Sequence, residues 1–260
     1  MQGLFEVPLP EVSQKARSSG LEAATAAQVH AQRSRLIDLS LVIRDGLLAP
    51  PSVSRPVEMR THYRGPGHWQ SSELSLLLHT GSHVDFPRHC DAEGAAAGDV
   101  SLERTCGEAI VADLGDLPAR HDITVDDVRR FEHLFIRDRI VLVRTGWTDR
   151  MWGKFPDFYL TSPTCSRSAI AFIVAHGVKA VGFDCFPERA ALDPDFTSEE
   201  FLVHKTIFDG GALLLQLMTG LGSLPKSEPV DFYGAFVRIE GAEGAPARFF
   251  ARVGDGESTR

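Results

Sequence analysis

The 260-residue chain lacks the features that mark several large classes of protein. No apolar run approaches the roughly 20 residues of a membrane-spanning helix, so we expect no membrane segment. Residues 1–10 contain no basic stretch followed by an apolar one, so we expect no secretory signal. Acidic residues outnumber basic ones by 35 to 27, and the net charge of −8 argues against a general nucleic-acid-binding surface.

Cysteine is scarce as well, with four residues in the chain and no C-x-x-C pair. This spacing demands no disulfide framework, and a reducing cytoplasm is the compartment that fits it. With 43% hydrophobic and 24% charged residues, the composition is typical of a globular protein. A chain of this length buries a substantial core without covalent cross-links.

The pattern of apolar and turn-forming residues predicts an α/β protein. Residues 1–34 are rich in alanine and are expected to form a helical arm for packing or subunit contact, and residues 35–260 to form one domain. A strand, a helix and a strand follow one another between residues 139 and 183, which favours a crossover between two parallel strands. Strands are predicted at residues 36–42, 74–78, 109–114, 139–144, 178–183, 212–217, 232–240 and 247–253, helices from Thr124, Ser162 and Ser198, and a long loop at residues 46–66.

The densest group of chemically active residues lies at residues 79–89, which place three histidines and one aspartate within eleven positions. Imidazole and carboxylate are ligands of zinc, manganese and non-haem iron. Gly81 disfavours a helix, so we predict a strand that ends at His79, a tight turn and a second extended stretch. On that stretch His83 and Asp85 point to the same side, and the turn before it folds His79 back beside them. We predict a metal or catalytic site here; the alternative is a polar loop with backbone hydrogen bonds.

Two distant polar residues are candidates for the same site. His204 lies on an otherwise apolar helix face, where it is either a site residue or a buried histidine with satisfied hydrogen bonds. Gln216 interrupts a run of leucines, and an unpartnered buried amide costs about 1–3 kcal/mol. Gln216 therefore needs a hydrogen-bond partner or a metal, unless it faces solvent from an edge strand.

Four further residues have two interpretations each. Trp69 and Phe86 are candidates to flank a flat substrate, and core packing is the alternative for an aromatic residue of this kind. Asp184 ends a buried strand, where polar side chains often face a site, or it caps a helix. Glu188 is either a second site carboxylate or a solvated loop charge.

Residues 79–89 resemble the signature H-x-G-T-H-x-D-x-P-x-H of the cyclase-type metal-dependent hydrolases, which include bacterial kynurenine formamidase and isatin hydrolase. The one departure is Ser82 in place of threonine, which keeps the hydroxyl group. The resemblance implies a swivelling β/β/α domain with a mixed sheet that assembles as a homodimer or homotetramer. Shorter similar segments extend it over about residues 36–253, at residues 38–40, 143–147, 181–184, 239–242 and 246–248.

The same resemblance assigns roles to the candidate residues. It makes His89 an acid/base residue and places His204 in the same pocket, as a ligand of a second metal site or a catalytic partner. Gln216 falls where formamidases carry glutamate; isatin-hydrolase-like members have glutamine there, which implies a substrate or metal contact and a single ion, manganese first and zinc second. The implied metal ligands are His79, His83, Asp85 and Gln216.

The function implied is hydrolysis of a carbon–nitrogen bond in a small cyclic or formyl amide by a metal-activated water, as in isatin hydrolase. Hydrolysis of N-formylkynurenine is the alternative within the family. Two other classes stay open. A non-haem iron oxygenase is one, because His83, Asp85 and His204 imitate its ligand triad; a non-catalytic metal-binding or polyketide-cyclase-like protein is the other.

Overall fold

The computed structural model describes residues 34–51, 55–226 and 228–254. The helical arm predicted over residues 1–34 lies outside the described residues, apart from Ser34, which begins the first strand. Within the described segments, no helix is both long and apolar enough to cross a membrane. All four cysteines are free thiols.

The described residues form a mixed α/β structure, as predicted. The strands are β1 (Ser34–Asp38), β2 (Glu58–Arg64), β3 (Trp69–Ser75), β4 (His83–Asp85), β5 (Cys106–Asp113), β6 (Asp122–Ile123), β7 (Ile140–Arg144), β8 (Thr164–Cys165), β9 (Ala180–Phe183), β10 (Leu213–Gln216), β11 (Val230–Phe236) and β12 (Gly244–Gly254). The α-helices are α1 (Val125–Arg129), α2 (Trp147–Met151), α3 (Asp157–Leu160), α4 (Arg167–Val174) and α5 (Leu202–Asp209).

Seven strands close into a barrel in the order β12, β11, β5, β7, β9, β10 and β4. The ring closes because β4 pairs with β10 on one side and with the first residues of β12 on the other. Strands β5, β7, β9 and β10 run parallel, and the remaining pairings of the ring are antiparallel. Strand β1 lies outside the ring and extends it along the second half of β12. The three-residue strand β4, which carries two of the candidate ligands, is therefore the strand that completes the barrel.

The parallel strands have apolar residues on both faces. In β7, Ile140 and Leu142 belong to the hydrophobic cluster shared with β12, whereas Val141 and Val143 belong to the cluster beneath α4 and α5. Successive residues of a strand point to opposite faces, so a strand covered on both sides is a continuous apolar run. The predicted strand–helix–strand crossover is confirmed, since α4 connects β7 to its parallel neighbour β9.

Two predictions around the histidine cluster are wrong in their bounds. The loop predicted at residues 46–66 contains β2, which pairs with β3 to form a two-stranded hairpin. The strand predicted at residues 74–78 ends at Ser75, and His79 lies in a turn in which the Thr80 N–H donates to the Leu77 carbonyl at 3.0 Å. Prolines and glycines outside the strand pairing gave the whole segment the look of a loop.

Some element ends also differ from the predictions. The helix predicted from Thr124 is confirmed as α1, which begins with a capping box formed by Thr124 and Asp127. The helix predicted from Ser162 begins at Arg167 instead, because residues 164–165 first pair with β6 as a short strand. The helix predicted from Ser198 is split into a short 3-10 turn and α5. Strand β1 ends at Asp38, short of the strand predicted at residues 36–42.

Candidate metal and substrate site

The turn before β4 brings the three strongest ligand candidates together. Gly81 adopts a left-handed conformation with φ of 68°, which turns the chain between His79 and β4. His83 and Asp85 then lie on the same face of β4, where they are 1% and 0% exposed. One ligand atom from each of these three side chains lies within 4.8 Å of the others, as the strand alternation predicted. Glycine is needed at position 81 because other residues rarely adopt this φ.

The donor atoms of this cluster fit a divalent cation. His83 Nδ1 lies 2.7 Å from the Gly81 carbonyl and donates to it, so Nε2 carries the lone pair. That Nε2 is buried and has no hydrogen-bond partner among the described residues, while Asp85 Oδ1 lies 3.2 Å away. Two imidazoles and a carboxylate suit manganese, zinc or iron. A cation here would give the His83 nitrogen the partner that the protein does not supply.

Charges within the cluster are strongly coupled. Burial disfavours charge on both partners, but the contact between Asp85 Oδ1 and His79 Nδ1 at 2.7 Å outweighs it. The pKa of His79 is raised to about 9, and the histidines hold the pKa of Asp85 well below its usual range. Asp85 is therefore an anion, which is the state that a metal ligand requires.

Glu243 is a site residue that the sequence analysis missed. Its Oε1 lies 3.2 Å from His79 Nε2, and this hydrogen bond lowers the pKa of Glu243 to about 2. A carboxylate on the far nitrogen of a metal-binding histidine fixes the ring orientation and tautomer. The next residue, Gly244, also contacts the ring: an added Cβ would lie 2.6 Å from His79 Cε1. Glutamate followed by glycine before a strand was the available signal, but only the barrel closure places it beside His79.

Gln216 and His204 join the cluster from β10 and α5, and both are buried. Gln216 Nε2 lies 2.7 Å from Asp85 Oδ2 and 2.9 Å from His204 Nε2, so the amide donates to both. Gln216 Oε1 is buried without a hydrogen-bond partner among the described residues. His204 Nε2 also lies 3.4 Å from Asp85 Oδ2, the oxygen to which the Gln216 amide donates. The predicted need for a Gln216 partner is thus met by its nitrogen, and its oxygen stays available.

Glu188 is buried at 3% exposure, so it is not a solvated loop charge. Its Oε2 accepts from the Val203 N–H at 2.7 Å and lies 3.2 Å from His204 Nδ1. Asp184 is equally buried, but it serves the backbone: it accepts from the N–H groups of Thr145 and Gly146, just before α2. Of the two carboxylates, Glu188 contacts the histidine network and Asp184 fixes a loop.

His89 lies against the cluster without joining it. Its ring stacks on that of His79 with a centroid distance of 4.2 Å and lies 5.6 Å from that of His204. Burial lowers the pKa of His89 to about 3, helped by the neighbouring histidines, so the imidazole is neutral. A neutral imidazole in this place has a nitrogen lone pair free to accept a proton.

A cavity of about 290 Å³ opens onto these residues. Three phenylalanines line it, one from the loop after β9 and two on either side of the 3-10 turn at residues 198–200: Phe186, Phe196 and Phe201. The polar part of the lining consists mainly of His79, His83, His89, His204 and Gln216.

The two aromatic residues predicted to flank the substrate lie elsewhere. Phe86 is fully buried and packs against Phe236 at a centroid distance of 5.0 Å, because it points away from the face that carries Asp85. Trp69 is 48% exposed on the hairpin of β2 and β3, where the Arg64 guanidinium lies 5.1 Å from the ring centre. Neither residue is among the described residues that line the cavity.

A protein-family model covers the segment that carries the candidate ligands. The family model described as putative cyclase matches residues 37–187, which include the turn and β4. The chain belongs to this cyclase family. Among curated relatives, the kynurenine formamidase of Geobacillus thermodenitrificans (strain NG80-2) is 26% identical over 197 residues, which cover 74% of this chain and 86% of that protein.

Solved cyclase-family structures show the same fold. Isatin hydrolase A from Labrenzia aggregata, bound to benzyl benzoate, has a TM-score of 0.72 at 20% identity and covers 90% of this chain and 99% of its own. An isatin hydrolase bound to the product analogue thioisatinate has a TM-score of 0.74 at 19% identity, with coverage of 90% and 97%. At these identities the likeness shows the fold, which the chain shares with both isatin hydrolases.

Proposed function

We propose that this protein hydrolyses the carbon–nitrogen bond of a small, neutral, aromatic cyclic amide of the isatin type. The observation that carries the proposal is the cluster of His79, His83 and Asp85, whose two histidines line an aromatic cavity. The unpartnered Nε2 of His83 supports a divalent cation bound among these three side chains. When bound, such a cation lowers the pKa of a water molecule and polarises an amide carbonyl.

The character of the cavity favours a neutral substrate over N-formylkynurenine. Its described lining combines phenylalanines, small apolar residues, a serine, a glutamine and histidines, and contains no lysine or arginine. N-formylkynurenine carries an α-ammonium and an α-carboxylate group, and burying either without a partner is costly. Isatin is flat and uncharged, so phenyl walls suffice to hold it. Kynurenine formamidase activity, supported by the named relatives, is the second candidate.

The side chains around the cavity divide the chemistry between them. His89 lines the cavity and stacks on His79, so it is the imidazole placed to accept the proton that the attacking water loses and to return it to the leaving nitrogen. His204 and Gln216 line the same floor and orient the substrate or the tetrahedral oxygen. Phe186 and Phe201 exclude water from the substrate ring.

The test is removal and return of the metal. Protein treated with a chelator is expected to lose hydrolysis of isatin, and manganese, or zinc less effectively, to restore it. His89→Ala is expected to lower turnover by roughly 10²–10⁴-fold while bound metal stays near the wild-type level; His133→Ala, an exposed histidine, is the matched control. Hydrolysis that persists unchanged in metal-free protein contradicts the proposal, and equal loss of metal and turnover in His89→Ala would make His89 a ligand.

We also propose one manganese ion per chain. Gln216 is neutral and uses its nitrogen on Asp85 and His204, so the position lacks the negative charge that a second dication requires. Elemental analysis of protein purified without chelator is expected to give one metal equivalent; two equivalents would contradict this stoichiometry.

We further propose a cytoplasmic homodimer or homotetramer, which the free cysteines and an exposed apolar hairpin support.

A further inference from the structure

We propose that Glu188 is a positioning residue that holds His204 in one tautomer and thereby sets the direction of hydrogen bonding across the site. Glu188 does not line the cavity, so it reaches the site through the side chain of His204 and not by touching the substrate. The catalytic consequence rests on the proposed function, whereas the tautomer itself does not.

The first step is the contact between Glu188 and α5. Glu188 Oε2 accepts from the backbone N–H groups of Val203 at 2.7 Å and His204 at 3.3 Å, and it lies 3.2 Å from His204 Nδ1. A carboxylate that already accepts backbone donors only accepts from the ring as well. His204 Nδ1 must therefore carry the hydrogen.

The other ring nitrogen of His204, Nε2, faces the side-chain amide of Gln216. Gln216 Nε2 lies between Asp85 Oδ2 and His204 Nε2, at 2.7 Å and 2.9 Å. The amide nitrogen lies within hydrogen-bond distance of a carboxylate oxygen, which accepts, so the nitrogen and not the oxygen of the amide faces Asp85. The second N–H of the same amide then donates to His204 Nε2, which has to present a lone pair. The contact with Glu188 and the contact with the Gln216 amide therefore assign the same tautomer to His204, with the hydrogen on Nδ1 and the lone pair on Nε2.

Loss of Glu188 would change the hydrogen bonds among His204, Gln216 and Asp85. Without an acceptor at Nδ1, the His204 hydrogen is free to move to Nε2, where it would oppose the Gln216 amide N–H. Relief requires the amide to turn over, which would place its oxygen against the Asp85 carboxylate. Glu188 thus keeps a donor on Asp85 through two intervening side chains, although it touches neither Asp85 nor the cavity.

The tautomer is tested directly by ¹⁵N NMR of histidine-labelled full-length protein loaded with Zn²⁺, which is diamagnetic. Wild-type His204 is expected to be protonated at Nδ1, with a downfield proton resonance because the acceptor is charged. Glu188→Gln keeps an acceptor oxygen, so it should retain the tautomer with a less downfield proton. Glu188→Ala should populate the Nε2–H form, and Glu199→Ala, at an exposed neighbouring position, should match the wild type.

Two results would overturn the proposal: a wholly Nδ1-protonated His204 in Glu188→Ala, or, if that variant does not fold, an unchanged His204 proton resonance in Glu188→Gln. Turnover gives the second measurement. Glu188→Ala is expected to lower kcat by roughly 10–100-fold with little change in KM, but by about twofold or less when His204 is already alanine. Equal losses in both backgrounds would also overturn it. If the protein shows the expected tautomers but hydrolyses neither isatin nor N-formylkynurenine, the proposed function is refuted and the role of Glu188 as a positioning residue still holds.

Discussion

His79 is held in a confined space, and its neighbours leave no room for a side chain on β12. An added Cβ at Gly244 would lie 2.6 Å from His79 Cε1 and 3.0 Å from His79 Nδ1, distances at which the ring must move. The ring is also fixed at both nitrogens, by Asp85 and by Glu243. The position of this candidate ligand therefore depends on a glycine far from it in sequence.

Gly244→Ala is expected to displace the His79 ring and lower metal affinity by roughly 10–100-fold, the usual loss when the support of a metal ligand is disturbed. Titration with a competing chelator measures the affinity. Gly254→Ala is the matched control, since Gly254 lies on the same strand with open space around it. Equal affinities of the two variants would show that the ring adapts to the added methyl group.

Asp184 predicts a pH dependence of stability. Burial raises its pKa to about 6, against hydrogen bonds from Thr145 and Gly146 that lower it. Because the folded protein disfavours the ionised form, the contribution of this group to the free energy of unfolding is greatest below its ordinary pKa of 3.8 and is lost as the pH rises through 6. The loss amounts to about 3 kcal/mol for a shift of about two units.

Asp184→Asn removes this titration. Urea unfolding of both proteins from pH 4 to 7 should show the difference in free energy of unfolding moving in favour of the variant as the pH rises. Other titrating groups are common to both proteins and cancel in the difference. Parallel curves over that range would mean that the carboxylate is already ionised at pH 4.

Much of the candidate site could be predicted from the sequence, for a specific physical reason. His79, His83 and Asp85 are local, so strand alternation and one glycine turn were enough to bring them together. Gln216 followed from the cost of burying an amide. Glu243 was out of reach because its approach to His79 depends on barrel closure. Phe86 packs in the core because the same alternation that aims Asp85 at the cluster turns the next side chain to the opposite face of β4.

Among the elements, the hairpin of β2 and β3 stands apart from the barrel as a separate two-stranded sheet. Four large apolar side chains on it are about half exposed or more. They are Met59, Tyr63, Trp69 and Leu74. A two-stranded hairpin is marginally stable by itself in water, so we expect a second copy of the chain to cover this one.

Replacing Tyr63 and Trp69 by serine together is therefore expected to shift the protein from oligomer to monomer. Size-exclusion chromatography with light scattering measures the mass. Ile136→Ser, at a comparably exposed apolar position outside the hairpin, should leave the oligomer intact. A wild-type protein that is monomeric at all concentrations would contradict the expectation.

The elements themselves were predictable to different degrees. Strands β5, β7, β9 and β10 are continuous apolar runs because both faces are covered, and each was found. The hairpin was missed in part because β2 is exposed along nearly its whole length and its alternation of Met59, Thr61 and Tyr63 with charged or polar residues is only weakly apolar. Helix α4 was started too early because the pairing of β8 with β6 is a tertiary contact that overrides the Ser-Pro signal.

At the scale of the whole molecule, two of the candidate ligands, His83 and Asp85, lie on β4, the strand that closes the barrel. Metal binding and folding should therefore be coupled, because a cation bound only by the folded state stabilises it by mass action, about 2.7 kcal/mol at a hundredfold excess over Kd. Manganese is expected to raise Tm in the wild type and to have little effect in His83→Ala. An equal rise in both proteins would place the ion elsewhere.

Strand β4 comes early in the chain, and its partner β12 comes last among the described strands. During synthesis, the ligand turn leaves the ribosome long before Glu243 and Gly244 exist to orient His79. A nascent chain thus cannot complete the proposed cation site until residues 243–244 have emerged, so the site forms only after nearly all of the described residues have been made.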